Sequence, residues 1–220
     1  MPGYRVIIVD DHPLFRDALR QALSAAFEGI DIAEAASIDE VAETLSSNGD
    51  ADLVLLDLNM PGVRGFSGLI YLRAQHPEVP IVVVSASEDA ITIRRSIDLG
   101  ASGFVPKSLP VAEIRAAVAE LLKGEIFLPP DYDPAQAESS GETALIARLQ
   151  TLTPQQVRVL MMLGQGLLNK QIAYELGVSE ATVKAHVSAI LQKLGVDSRT
   201  QAVIAVNRIE TGDWQKLASE

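Results

Sequence analysis

The chain has no cysteine, which removes disulfides, thiolate chemistry and thiolate-held metals from consideration. Aromatic residues make up only 5% of it, too few for the aromatic-rich pocket of a small-molecule sensor. It holds no run of about 18 apolar residues, the length a membrane-spanning helix needs, so no membrane partner is expected. Its opening, MPGYRVIIVDDH, reaches paired acids after a short strand-like run, a pattern foreign to a signal peptide. A cytoplasmic location fits. Basic charge is scarce as well, with 18 Lys and Arg against 29 Asp and Glu, net -11. The deficit is uneven: residues 1–150 carry 11 basic against 23 acidic residues (-12), and residues 151–220 carry 7 against 6 (+1). Charge therefore permits nucleic-acid binding in the second half without arguing for it.

What is present fits two domains in 220 residues, each with enough apolar content for a core. Strands are expected at Tyr4–Val9, Asp31–Glu34, Leu53–Leu56, Ile81–Val84 and Gly103–Val105. They alternate with helices near Pro13–Phe27, Ile38–Ser46, Gly65–Gln75, Glu88–Leu99 and Val111–Lys123. Most of these strands are continuous apolar runs, as when helices cover both sheet faces. The expected fold is α/β, a doubly wound, flavodoxin-like, five-stranded parallel sheet over residues 1–124. Pro129–Glu142 is proline-rich and polar, and residues 125–149 read as a linker. From residue 150 to 220 the pattern is only helical, with helices at Pro154–Leu163, Lys170–Leu176, Glu180–Leu194 and Thr200–Arg208. Thr153-Pro154-Gln155-Gln156 is a capping box, Asn169 is a candidate second cap, and Gly177-Val178-Ser179 supplies a turn and a third.

Asp10 and Asp11 follow the first strand, Asp57 the third, Ser85 the fourth and Lys107 the fifth. In an open parallel sheet the strand ends share one edge, and ligands bind where the strand order reverses. With the order 2-1-3-4-5 that point lies between strands one and three, where the three acids converge. Carboxylates crowded together raise one another's pKa unless a cation joins them. Mg²⁺ suits such a site, since it takes a few carboxylates and accepts phosphate oxygens. A carboxylate also serves as the nucleophile in phosphoryl transfer, with Lys107 and Ser85 placed to receive phosphoryl oxygens. One Asp alone after a strand is usually a turn or cap residue; residues of three types on four strand ends are harder to explain that way. His12 and His76 show no metal spacing.

The segments VDDHPLFRDALR, LVLLDLNMPG, VVVSA and ASGFVPK resemble the signature segments of bacterial response-regulator receiver domains over about residues 4–124. The resemblance implies phosphorylation of Asp57 by a sensor histidine kinase or phosphotransfer protein. It implies Mg²⁺ held by Asp10, Asp11, Asp57 and the backbone carbonyl of Asn59, Ser85 moving toward the phosphoryl group, and Phe104 turning inward with it. Ser stands where the family more often has Thr, and Phe where it more often has Tyr or His.

Over about residues 150–208, the stretch LTPQQVRVLMMLGQGLLNKQIAYELGVSEATVKAHVSAILQKLGVDSRTQAV resembles the LuxR-type helix-turn-helix of the NarL/FixJ class. Gln155-Gln156 replaces the family's usual Arg-Glu. In the helix after Ser179, Val183, Val187, Ile190, Leu191 and Leu194 form an apolar stripe. Ala181, Lys184, Ala185, Ser188 and Gln192 gather elsewhere, free to enter a major groove. The resemblance puts Lys184, Ala185 and Ser188 at base-facing positions and Asn169, Lys170, Ser179 and Thr182 on the phosphate side of double-stranded DNA. His186 lies off the base-facing stripe.

The function expected is that of a transcription factor, not an enzyme beyond its own phosphoryl transfer, working as a phosphorylation-dependent homodimer. The face around Arg94, Arg95, Asp98 and Glu113 is the candidate for charge-paired contacts. An aspartyl-nucleophile phosphatase would need a general acid two residues after Asp57, where Asn59 stands. A regulator gated by a small signal molecule would leave the acidic site unused.

Overall fold

The structure, a computed structural model, describes residues 3–48, 51–60, 63–134 and 142–211. Contacts divide the chain into two compact units, Met1–Arg64 with His76–Glu138, and Gly65–Gln75 with Ser139–Glu220. The first is built on β1 (Arg5–Val9), β2 (Asp31–Ala35), β3 (Leu53–Leu56), β6 (Ile81–Ser85) and β7 (Gly103–Pro106). These pair in parallel in the order β2-β1-β3-β6-β7, the doubly wound order expected. A short antiparallel ribbon, β4 (Asn59–Met60) with β5 (Val63–Arg64), follows β3.

Continuous apolar runs are required because both sides of each central strand are buried. Val6, Ile8, Leu53, Leu55, Val82, Val84 and Val105 pack with Leu19 and Leu23 of α1 (Pro13–Ala26) and with Ile114 and Val118 of α5 (Val111–Leu121). The intervening Ile7, Val9, Val54, Leu56 and Val83 are no less buried, and each such side chain contributes about 1.5–3 kcal/mol. α2 (Ile38–Asn48) lies against β1 and β2, and α4 (Ala90–Asp98) against β7. Asp89 caps α4, its carboxylate accepting from Thr92 N at 2.9 Å.

Beyond α5 the chain returns to the sheet. Phe127 forms a parallel bridge with Gly103, and Phe104 N donates to Phe127 O at 2.9 Å. Glycine at 103 is what allows this approach, because a Cβ there would lie 3.0 Å from Phe127 O and 2.8 Å from Leu121 Cδ2. The segment read as the start of a linker is thus attached to the outer side of β7. Residues 135–141, the middle of that linker, lie outside the described residues.

The second unit contains α6 (Glu142–Leu149), α7 (Pro154–Gly164), α8 (Asn169–Leu176), α9 (Glu180–Leu194) and α10 (Arg199–Thr211), and α3 (Ser67–Gln75) groups with it. Leu149, Leu160, Leu163, Ile172, Val183, Ile190, Leu194 and Ala202 form its buried centre. α6 departs from the linker expectation. Ile146 and Leu149 are buried, and Arg148 Nη1 donates to Leu194 O at 2.9 Å, satisfying a carbonyl at the end of α9. The Thr153–Gln156 capping box is present. Asn169 is not a cap: the N-cap of α8 is Leu168, whose N–H donates to Gln171 Oε1 at 2.8 Å. That bond needs no side-chain acceptor at the cap, so a leucine serves. Gly177 ends α8 at φ 63°, a left-handed conformation that favours glycine. Ser179 then caps α9, its hydroxyl accepting from Thr182 N at 3.1 Å.

Candidate functional site

The register of the sheet places the acids. Val9 lies opposite both Ala35 and Leu56, so β1 and β3 end level with each other. Asp10 N donates to Ala35 O at 3.1 Å and Asp57 N to Val9 O at 2.9 Å, fixing the first residue past each strand. Both aspartates are 2% exposed. Lys107, positioned by its own N–H donating to Ser85 O at 2.8 Å, brings Nζ to 2.6 Å from Asp10 Oδ2 and 2.8 Å from Asp57 Oδ2. The second Asp57 oxygen accepts from Asn59 N at 3.1 Å. Phe15 lies beneath the ammonium, its ring centroid 4.8 Å from Nζ.

Asp10, Asp11, His12 and Asp57 each offer a ligand atom within 4.8 Å of the others, a cluster able to hold a metal ion. His12 is therefore part of the pocket, contrary to its sequence spacing. Its Nδ1 lies 2.9 Å from Asp11 Oδ1 and 3.2 Å from Asp10 Oδ1, and its N–H donates to Asp10 Oδ1 at 2.8 Å. The turn that makes His12 the N-cap of α1 folds it back over the acids; neither Asp10 nor Asp11 is that cap. Asp10 Oδ2 and Asp11 Oδ1 are buried, with Lys107 Nζ at 2.6 Å and His12 Nδ1 at 2.9 Å as their near nitrogens. Three hard carboxylates gathered this closely are a donor set that suits a divalent cation.

Burial pushes the Asp57 carboxyl above its usual range. The Lys107 hydrogen bond, Asn59 N–H and Lys107 charge oppose the rise, while the Asp10 charge adds to it. Burial by itself would lower the Lys107 ammonium, yet its bonds to Asp10 and Asp57 and their charges outweigh burial and raise it. An isolated ion pair would lower the acid as it raised the base. Here two buried carboxylates share one ammonium, so Asp57 receives only part of its compensation.

Ser85 is fully buried at the end of β6, and its hydroxyl accepts from Ser87 N at 3.1 Å. Among the described residues it makes no hydrogen bond to Asp57. Phe104 is 0% exposed, turned into the core. On α4, Arg95 is buried and so does not belong to an exposed charged face, while Arg94 pairs along its own helix with Asp98 at 3.3 Å.

On the second unit, Val183, Ile190 and Leu194 of the expected apolar stripe of α9 are buried, and Val187 and Leu191 are half-buried; Thr182, Lys184, Ala185 and Ser188 are exposed, together with Ser179, and His186 is half-buried. Lys184 is held by Glu180 one turn earlier at 3.0 Å. Lys170 is exposed and Asn169 half-buried at the start of α8. The Asn169 side chain accepts from Arg199 Nη1 at 3.1 Å. Arg199, Arg148, Phe15 and His12 are the site and support residues that the sequence did not single out for these contacts. Only His12, as the neighbour of two acids, carried a local signal.

Comparison with known proteins agrees with this geometry. The response regulator receiver domain model matches residues 6–119, and that of the luxR family of bacterial regulatory proteins matches residues 150–206. The glycerol metabolism activator of Pseudomonas putida is 43% identical over 94% of this chain and 96% of its own length. The nitrate/nitrite response regulator protein NarL of Escherichia coli strain K12 is 33% identical over 92% and 94%. A structure of the Salmonella typhimurium RcsB response regulator covers 94% of this chain and 99% of its own, with TM-score 0.55 and 25% identity. One of two RcsB dimers bound to two parallel DNAs has TM-score 0.54 at the same identity and coverage. The chain belongs to the two-component response regulators of the NarL/FixJ type, in which a receiver domain precedes a LuxR-type helix-turn-helix.

Proposed function

We propose that Asp57 accepts a phosphoryl group from the phosphohistidine of a sensor kinase or phosphotransfer protein, and that this modification promotes dimerisation and binding to duplex DNA. The observation that carries it is the Asp57 carboxylate, buried at the reversal of strand order and within 2.8 Å of Lys107 Nζ. An Asp57 oxygen attacks phosphorus, the P–N bond breaks, and its electron pair leaves with the imidazole nitrogen, giving an acyl phosphate. Lys107 holds one Asp57 oxygen and is placed to neutralise a phosphoryl oxygen, while Asn59 N–H fixes the other. Ser85 hydrogen-bonds the phosphoryl group after releasing Ser87 N–H.

Asp10, Asp11, Asp57 and the Asn59 carbonyl are the residues we assign to Mg²⁺, a choice supported by the all-oxygen donor set. When bound, Mg²⁺ offsets charge on the acids and the transferring group. In the second unit, Lys184, Ala185 and Ser188 read base edges from the major groove, and Asn169, Lys170, Ser179 and Thr182 face phosphates. The protein acts in the cytoplasm, and among the described residues no helix is long and apolar enough to cross a membrane. The 43%-identical activator makes gene activation the direction we propose. Residues 1–124 form the receiver, 125–149 the connection and 150–220 the DNA-binding domain in this scheme.

The test is incubation with acetyl phosphate and Mg²⁺, following the mass of Asp57, the oligomeric state and DNA binding together. All three change in the parent protein and none in Asp57→Asn. Full phosphodonor-dependent dimerisation of Asp57→Asn overturns the proposal.

A further inference from the structure

Arg199 opens α10, whose first turn is tied by two bonds between the residues on either side of it: Gln201 N donates to Ser198 Oγ at 3.2 Å and Asp197 N to Gln201 Oε1 at 2.8 Å. From this base the half-buried guanidinium spans to the start of α8. Nη1 donates to Asn169 Oδ1 at 3.1 Å, and Nη2 donates to the Leu167 carbonyl oxygen. Residues 30 and 32 positions apart are thereby joined by one planar fork.

The chemistry of the fork decides the orientation of the carboxamide. A guanidinium donates only, so Asn169 must present its oxygen to Arg199 and turn its NH₂ group the other way. That group has no hydrogen-bond partner among the described residues. Lys170, the next residue, is exposed. Without Arg199, no hydrogen bond among the described residues would choose between the two carboxamide orientations, one of which shows an oxygen to whatever approaches.

We propose that Arg199 is a positioning residue for DNA binding: it locks the Asn169 carboxamide with its NH₂ group outward, so that Asn169 donates to a phosphate oxygen of the duplex. The inference rests on the proposed function, in which this unit binds duplex DNA with Asn169 on the phosphate side. The cationic fork also polarises the amide, strengthening its N–H donors through a hydrogen-bonded chain. Phosphate contacts are blind to sequence, so the effect extends to non-operator DNA.

The experiment uses the full chain, phosphorylated from acetyl phosphate, and a fluorescent mixed-sequence duplex at low salt, with a thermal melt of every variant. Asn169→Ala weakens binding roughly tenfold, the loss of one hydrogen bond to a charged group. Arg199→Met, which keeps the bulk but cannot donate, weakens it several-fold in the parent but changes it little in the Asn169→Ala background, whereas Arg199→Lys, which still donates, stays close to the parent. Loss of one positive charge acts alike in both backgrounds and cancels from the cycle. Equal losses in both backgrounds, or an Asn169→Ala protein that binds normally, overturn the inference. Lys184→Ala separates the two levels. If it weakens binding while Asn169 and Arg199 are uncoupled, only the positioning role fails. If the parent does not bind the duplex at all, the function fails and the inference with it.

Discussion

Asp11→Asn should make the metal-free protein more stable and the Mg²⁺-loaded protein relatively less so. Asp11 lies in a cluster whose ligand atoms fall within 4.8 Å of one another, and among the described residues the ion pairs of Lys107 are with Asp10 and Asp57. Removing its charge therefore relieves repulsion without losing that ion pair. At such a separation and an effective dielectric near 20, one like-charge pair costs about 3.5 kcal/mol. The Asp11 side chain is 25% exposed, and solvent screening reduces the recoverable part to about 1–2 kcal/mol. With a urea slope of about 1–3 kcal/mol/M, the midpoint in chelator should rise by roughly 0.5–1 M. Mg²⁺ at 100 times its Kd adds about 2.7 kcal/mol to the parent, but far less to a variant missing a ligand, so the two stability orders should cross. The assay is urea unfolding of the first unit by circular dichroism, with chelator and across a Mg²⁺ series. A variant less stable in chelator would refute the repulsion, and one equally stabilised by Mg²⁺ would refute the ligand assignment.

Three further outcomes follow from packing and caps. Gly103→Ala places a Cβ 3.0 Å from Phe127 O and should cost about 1–2 kcal/mol as the Phe104 amide loses its partner; hydrogen exchange should show that amide deprotected, and unchanged protection would contradict it. Gln156→Glu retains the Oε1 acceptor that serves Lys193 Nζ at 2.8 Å and Thr153 N at 3.0 Å, and turns the Lys193 bond into an ion pair. A gain of about 0.5–1 kcal/mol is expected at pH 7, disappearing as acid protonates the introduced carboxylate; a lower melting temperature at pH 7 would show that burial wins. For Asp89, burial pushes the carboxyl up but the Thr92 bonds and Arg95 charge outweigh it, so its pKa is lowered from 3.8. A depressed carboxyl stabilises the fold above its unfolded pKa, and that contribution is lost as pH falls through the folded value. Asp89→Ala should therefore cost about 1 kcal/mol at neutral pH, and the deficit should shrink below pH 3.8 in parallel thermal melts.

Much of this architecture was legible because it depends on local pattern. Doubly covered strands need unbroken apolar runs such as LVLL and IVVVS, and the strand ends then determine where Asp10, Asp57, Ser85 and Lys107 fall. The missed contacts depend on returns of the chain that no short window contains. Phe15 supports Lys107 from another element, and Arg199 reaches across 30 residues to Asn169. α6 was hidden because its apolar residues, Ile146 and Leu149, follow a polar, proline-rich stretch. The cap of α8 was displaced by one residue because Gln171 satisfies a backbone donor, making the cap's own side chain irrelevant.

The Phe127 bridge also bears on self-association. β7 is the last strand of the sheet, and an open edge offers unpaired backbone groups to any strand of another molecule. Phe127 occupies the Phe104 amide on that edge. A receiver ended after residue 124 would keep every acid of the pocket but uncover this edge, inviting strand-to-strand aggregation unrelated to phosphorylation. One ended after residue 134 would not. A soluble receiver fragment therefore needs the first residues of the connection, through Phe127.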